Sequence, residues 1–170
     1  MMNKNLLALV QAAAIAALYV VLTFVASLFG LASGAVQVRL SEALTILPYF
    51  TPAAIPGLFV GCVLANLLTG CAPWDVVFGS IATLLGALGT RAITKTGLPE
   101  TAKKWTAPLP PIIANTLIVP WVIKIVYEAE DAVPFLMLTV GAGELISCGI
   151  LGMMLLFALN PKRQLLFGED

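Results

Sequence analysis

Glu144, Asn115, Asn66 and Lys124 sit inside long apolar runs, where few polar side chains occur. Glu144 falls about eleven residues into a run that begins near Val133, so at about 1.5 Å per residue it lies roughly 15 Å below that end. Asn115 enters a neighbouring run from the opposite side and reaches a similar level. Lys124 and Trp121 follow on that same run, and Asn66 sits towards the end of another. Arg39 and Glu42, three residues apart, lead into a short apolar stretch, and Trp74 with Asp75 opens a longer one. A carboxylate accepts two parallel N–H bonds from a guanine-like edge, an amide completes that edge, and an indole covers the flat face. This set suits a flat, nitrogen-rich solute, and a second carboxylate could hold an amine on it.

Each of these residues has a structural alternative. Glu144 can pair with Lys124 in a purely architectural role, since a buried charge is expensive unless paired or hydrated. Arg39 and Glu42 can form a local surface pair. Asn66 and Asn115 can join helices, Asp75 can cap one, and Trp74 and Tyr127 can belong to an interfacial aromatic belt. No nucleophile stands with a base, so chemistry on the solute is not expected. Histidine is absent, and Cys62, Cys71 and Cys148 form no C-x-x-C pair. Cys62 and Cys148 read as small packing residues, and neither a metal nor a cofactor is expected.

The elements that position these groups are membrane segments. The 170 residues are 60% hydrophobic and 11% charged, with a mean hydropathy of +1.01. A hydrocarbon layer of about 30 Å is crossed by runs of this length. Six segments are predicted: 5–29, 40–50, 53–69, 74–93, 110–126 and 133–159, joined by a connector at 30–38 and a joint around 94–107. The second is too short to span, so protein must cover its ends or they must line a cavity. We therefore expect an all-α, six-helix membrane bundle forming one domain over 1–170. The first segment reads as a retained helix, since it outruns a cleaved signal core. There is no Walker-type run to bind ATP, and no nucleic-acid partner is expected.

With the N-terminus inside, Lys4, Arg91, Lys95, Lys103, Lys104, Lys162 and Arg163 all fall on the cytoplasmic side, leaving Arg39 and Lys124 outside. This asymmetry predicts both termini in the cytoplasm and an outward-opening cavity. Ala8, Ala12 and Ala16, with Ala13 and Ala17 alongside, give the first segment a smooth strip against which another helix can approach. That strip is a candidate contact with another protein.

The run Val36-Gln-Val-Arg-Leu-Ser-Glu-Ala-Leu-Thr-Ile-Leu-Pro48, after an alanine-rich first helix, resembles the QueT family. The similarity extends over nearly the whole chain and includes Asn66 followed by Asp75. That family comprises predicted queuosine-precursor S components of bacterial energy-coupling factor (ECF) importers. The resemblance implies a substrate-binding subunit in the cell membrane, working with a transmembrane scaffold and two ATPases. It also implies cargo of the 7-deazaguanine type, such as preQ1, preQ0 or queuine, and docking of the scaffold on the alanine strip. A self-contained carrier or channel, or an S component for another vitamin, is the alternative.

Overall fold

The computed structural model describes residues 3–31 and 36–168, and every regular element among them is helical. Part of the predicted connector, 32–35, lies outside the described residues. Helix α1 (Lys4–Leu28) starts under an Asn3 cap whose side chain accepts from the Asn5 amide. A 3-10 helix (Leu40–Tyr49) follows, then α2 (Ala54–Leu68) and α3 (Pro73–Thr94). A short α4 (Glu100–Thr106) leads into α5 (Leu109–Val126). The last membrane segment is composite: α6 (Val133–Glu144), a π-helical stretch (Leu145–Leu151) and α7 (Gly152–Leu159). A 3-10 turn (Asn160–Lys162) and α8 (Arg163–Phe167) close the chain.

The six expected segments are present, with no end shifted by more than one residue. Among the described residues, four stretches are long and apolar enough to cross a membrane: Lys4–Leu28, Pro73–Thr94, Glu100–Val126 and Val133–Phe167. The joint around 94–107 contains α4, which the sequence reading left irregular.

The second segment is short, as expected, and lies at the centre. Ser41, Glu42 and every residue from Leu44 to Tyr49 are buried. Ten residues is long for a 3-10 helix, whose hydrogen-bond geometry is poor and whose runs usually stop after one turn. Surrounding helices hold it: Leu44, Ile46 and Leu47 pack into the same core as Ile15, Leu58 and Leu156. Its threonine, Thr45, folds back to donate to the Glu42 carbonyl at 2.6 Å.

Small residues join α1 to α2, and they revise the expected alanine strip. A β-carbon on Gly57 would stand 2.7 Å from the Ala12 carbonyl oxygen, and one on Gly61 would stand 3.0 Å from the Ala16 Cα. Ala16 is buried and Ala12 half-buried in this contact, whereas Ala8, Ala13 and Ala17 face outwards. The alanines divide because Ala13 and Ala17 each lie one residue, about 100°, around the helix from Ala12 and Ala16.

Candidate functional site

Five parts of the chain bring polar groups to one end of the bundle. The C-terminal halves of α1, α2 and α5 rise to it, α3 begins there, and the residues before the 3-10 helix cross it. Between them is a cavity of about 350 Å³, lined by Tyr19, Thr23, Gln37, Arg39, Ser41, Asn66, Thr69, Asp75 and Tyr127, with Val119 and Ile123 as its apolar side. That volume lies in the range of small-molecule sites.

Asp75 and Asn66 form one wall. Both are buried, at 6% and 5% exposure, and Gly79 leaves the space between them open. A β-carbon there would meet Asn66 Nδ2 at 3.3 Å and Asp75 Oδ1 at 3.6 Å. An amide donor thus stands near a carboxylate acceptor. The other carboxylate oxygen, Oδ2, accepts from the Tyr127 hydroxyl at 3.0 Å, and the Ala72 amide donates to that same hydroxyl at 3.2 Å. Partial burial, with Asp75 alongside, pushes the Tyr127 phenol above its usual pKa and keeps it a donor. Arg39 lines the same cavity, with the Asp75 charge acting on it. Its backbone amide donates to Ser147 Oγ at 3.1 Å, and among the described residues no carboxylate forms an ion pair with its guanidinium.

Beneath the lining is a buried polar layer centred on Glu42, which is 1% exposed. Its carboxyl group receives the Tyr19 hydroxyl, Thr83 Oγ1 at 3.4 Å and Asn115 Nδ2 at 3.4 Å. The Cys148 thiol lies 3.1 Å from Glu144 Oε2 and 3.4 Å from the Glu42 carbonyl, and Thr45 Oγ1 is 3.3 Å from the same sulfur. The π-helical stretch begins directly after Glu144. Its Ser147 and Cys148 are buried against the residues that lead into and form the 3-10 helix. Glu42, Glu144 and Cys148 each hold one ligand atom within 4.8 Å of the others, so among the described residues this group has the donor set for a metal ion.

The sequence profile of the QueT transporter family matches residues 9–161. This chain belongs to the QueT transporter family. Its members are transporters and not enzymes, in keeping with the absence of a nucleophile-and-base pair in the sequence. The chain is 36% identical over 78 residues to the queuosine precursor transporter QueT of Lactococcus lactis subsp. cremoris (strain MG1363). That alignment covers 45% of this chain and 45% of the relative, so it spans just under half of each. No solved structure matches significantly.

Within this QueT-family chain, the eight expected solute-contacting residues fall into three groups. Arg39, Asn66 and Asp75 line the cavity. Glu42, Asn115 and Glu144 lie in the layer below, so Glu144 stands at the expected depth without being part of the lining. Trp121 and Lys124 are turned away. Val119, Ile123 and Tyr127 take the cavity side of α5, and Trp121, two residues beyond Val119, points about 200° round the helix. Its indole is 51% exposed and shares an outer apolar groove with Trp74 and Phe78. Lys124 donates to the Ala129 and Glu130 carbonyls at 2.7 and 3.4 Å, tying down the acidic loop, not pairing with Glu144.

Several site residues escaped the sequence reading. Tyr19 is one whose signal was present, because a tyrosine within a membrane helix needs a partner for its hydroxyl. Thr83, Thr45 and Ser147 carry no such signal, since hydroxyls in membrane helices often bond their own backbone. Cys62 and Cys148, read as packing residues, are buried but also bond polar neighbours: Asn66 Nδ2 and Thr83 Oγ1 approach the Cys62 sulfur at 3.6 and 3.4 Å.

Proposed function

We propose that this chain is the substrate-binding S component of an ECF-type importer for a queuosine precursor. It captures a 7-deazaguanine base such as preQ1, preQ0 or queuine from outside and delivers it inward with a scaffold subunit and two ATPases. The observation that carries this reading is the polar cavity, with Asn66 and Asp75 flanking the Gly79 gap and Arg39 in the same lining. A guanine-like edge presents a carbonyl acceptor beside N–H donors. Asn66 donates to the carbonyl, Asp75 accepts from the ring and amine N–H groups, and the Tyr127 ring covers part of the base. The Lactococcus relative, a queuosine precursor transporter by name, supports the same cargo.

The orientation follows from charge. Seven of the nine basic residues, Lys4, Arg91, Lys95, Lys103, Lys104, Lys162 and Arg163, belong to the end opposite the cavity. That end is cytoplasmic by the positive-inside rule, so the cavity opens outside and both termini lie within. Ala8, Ala13 and Ala17 are the alanines available for scaffold docking, since Ala12 and Ala16 face α2. Glu42, Asn115 and Glu144 hold the lining from below.

The test is affinity purification from a native membrane, with mass spectrometry of the bound small molecule and of co-purifying chains. A deazaguanine base together with a membrane scaffold and two ATPases is the expected result. A different vitamin would overturn the cargo, and a stable homo-oligomer transporting solute alone would overturn the subunit role.

A further inference from the structure

We infer that Gly143 and Ser147 are positioning residues of the site, forming a seat on the last membrane segment that holds residues 37–39 in place and so presents Arg39 to the substrate. The inference rests on the proposed binding of the cargo in the cavity that Arg39 lines. Residues 37–39 belong to no helix or strand. Backbone bonds run from the Val38 amide to the Leu31 carbonyl at 2.9 Å and from the Glu42 amide to the Arg39 carbonyl at 3.0 Å. Gln37 has neither, so its position depends on what it lies against. At Gly143 the approach is close: a β-carbon there would collide with the Gln37 carbonyl oxygen and fall 3.1 Å from its carbon. One turn further on, Ser147 Oγ takes the Arg39 amide at 3.1 Å. Ser147 is 1% exposed, so water cannot easily replace its hydroxyl, and a buried N–H without a partner is costly.

The two contacts fix the backbone on either side of Val38 and so aim the guanidinium. The segment also has somewhere else to go. Gln37 walls the main cavity and, on its other side, a smaller one of about 170 Å³ lined by Asp131, Leu136 and Thr139. Filling the seat would push the segment towards open space and take Arg39 with it.

Two readouts test this, with Gly149→Ala as a control, since a β-carbon there makes only ordinary contacts at 3.9 and 4.0 Å. The first is the rate at which a maleimide labels Gln37→Cys in a Cys71→Ala background. The second is the affinity of the purified protein for preQ1. Gly143→Ala is expected to speed labelling roughly fivefold by releasing the segment and to weaken binding by about tenfold or more. Ser147→Ala, the milder change should Gly143→Ala fail to fold, moves both readouts the same way, and Gly149→Ala moves neither. Unchanged labelling in both seat variants overturns the inference, as does faster labelling with affinity retained. A wild-type protein that does not bind preQ1 overturns the cargo reading alone, and labelling then decides the seat by itself.

Discussion

Replacing Asp75 by asparagine removes one carboxylate oxygen and the charge while keeping the shape of the cavity wall. Asp75 is 6% exposed, and one of its oxygens is already engaged by the Tyr127 hydroxyl at 3.0 Å. The asparagine carbonyl can keep that bond, so the wall retains its contact with Tyr127. The other position becomes an NH2 donor, facing the N–H groups of the proposed base. A hydrogen bond to a charged group contributes about 1.5–3 kcal/mol, so Asp75→Asn should weaken preQ1 binding by about tenfold to 150-fold. Calorimetric titration of the purified protein in lipid nanodiscs measures this, with a thermal unfolding scan to show that the fold survives. Glu144→Gln is the informative companion. Because Glu144 lies below the lining against Cys148, it should change affinity less than Asp75→Asn and act more on the unfolding temperature. Affinity unchanged within about threefold in folded Asp75→Asn protein would refute the edge assignment. A reversed ranking would return the ligand's edge to Glu144.

Tyr19→Phe removes a donor from the buried Glu42 carboxyl and should destabilise the bundle by about 1–3 kcal/mol; an unfolding temperature equal to wild type would show that Glu42 does not depend on it. Ala13→Leu with Ala17→Leu, on the outward face of α1, should block uptake while leaving preQ1 affinity intact, as transport and binding assays on the same protein would reveal. Ala16→Leu should damage both, because the larger side chain meets the Gly61 face of α2, and overpacking of this kind costs about 1–3 kcal/mol.

Depth was readable from the sequence and direction around the helix was not. Counting residues from the segment ends put Glu144 and Asn115 near the same level, and both lie in the Glu42 layer. The faces were hidden because α2, α5 and α6 are apolar on nearly every side, so polarity does not say which side is buried. That is why Trp121, at a plausible height, is assigned to the cavity by sequence yet faces outwards. The short second segment was visible from its length and from Pro48 and Pro52, and its burial followed from the rule that lipid tolerates no unpaired helix ends. Its 3-10 geometry and the π-helical stretch after Glu144 depend on tertiary packing, and nothing local in Leu40–Tyr49 or Leu145–Leu151 announces them. The alanine strip illustrates a different limit. Small residues signal close approach but not the partner, and only Gly57 and Gly61 reveal that Ala12 and Ala16 are already occupied.

The packing below the cavity bears on how a solute could cross. Beyond the Glu42 layer, Ile46, Leu47, Leu58 and Leu156 are each 5% exposed or less. Past them, the Phe50 ring stacks on Phe167 at 5.1 Å, and Gln11 ties the chain's end to the core by bonding the Leu166 carbonyl and Thr51 Oγ1. The side chains packed in this region are largely apolar, so a nitrogen-rich base would lose most of its hydrogen bonds over the remaining distance. Such desolvation costs several kcal/mol for each polar group left unpaired. Thermal opening of a close-packed core offers no steady path around that barrier. Passage through a fixed pore is therefore the poorest reading of this architecture. On the proposed reading, inward release requires either the bundle to change its orientation as a body or its helices to be drawn apart. On that same reading the movement is driven by the importer's ATPases, and the outward alanines of α1 are the first surface at which to look for contact with their scaffold.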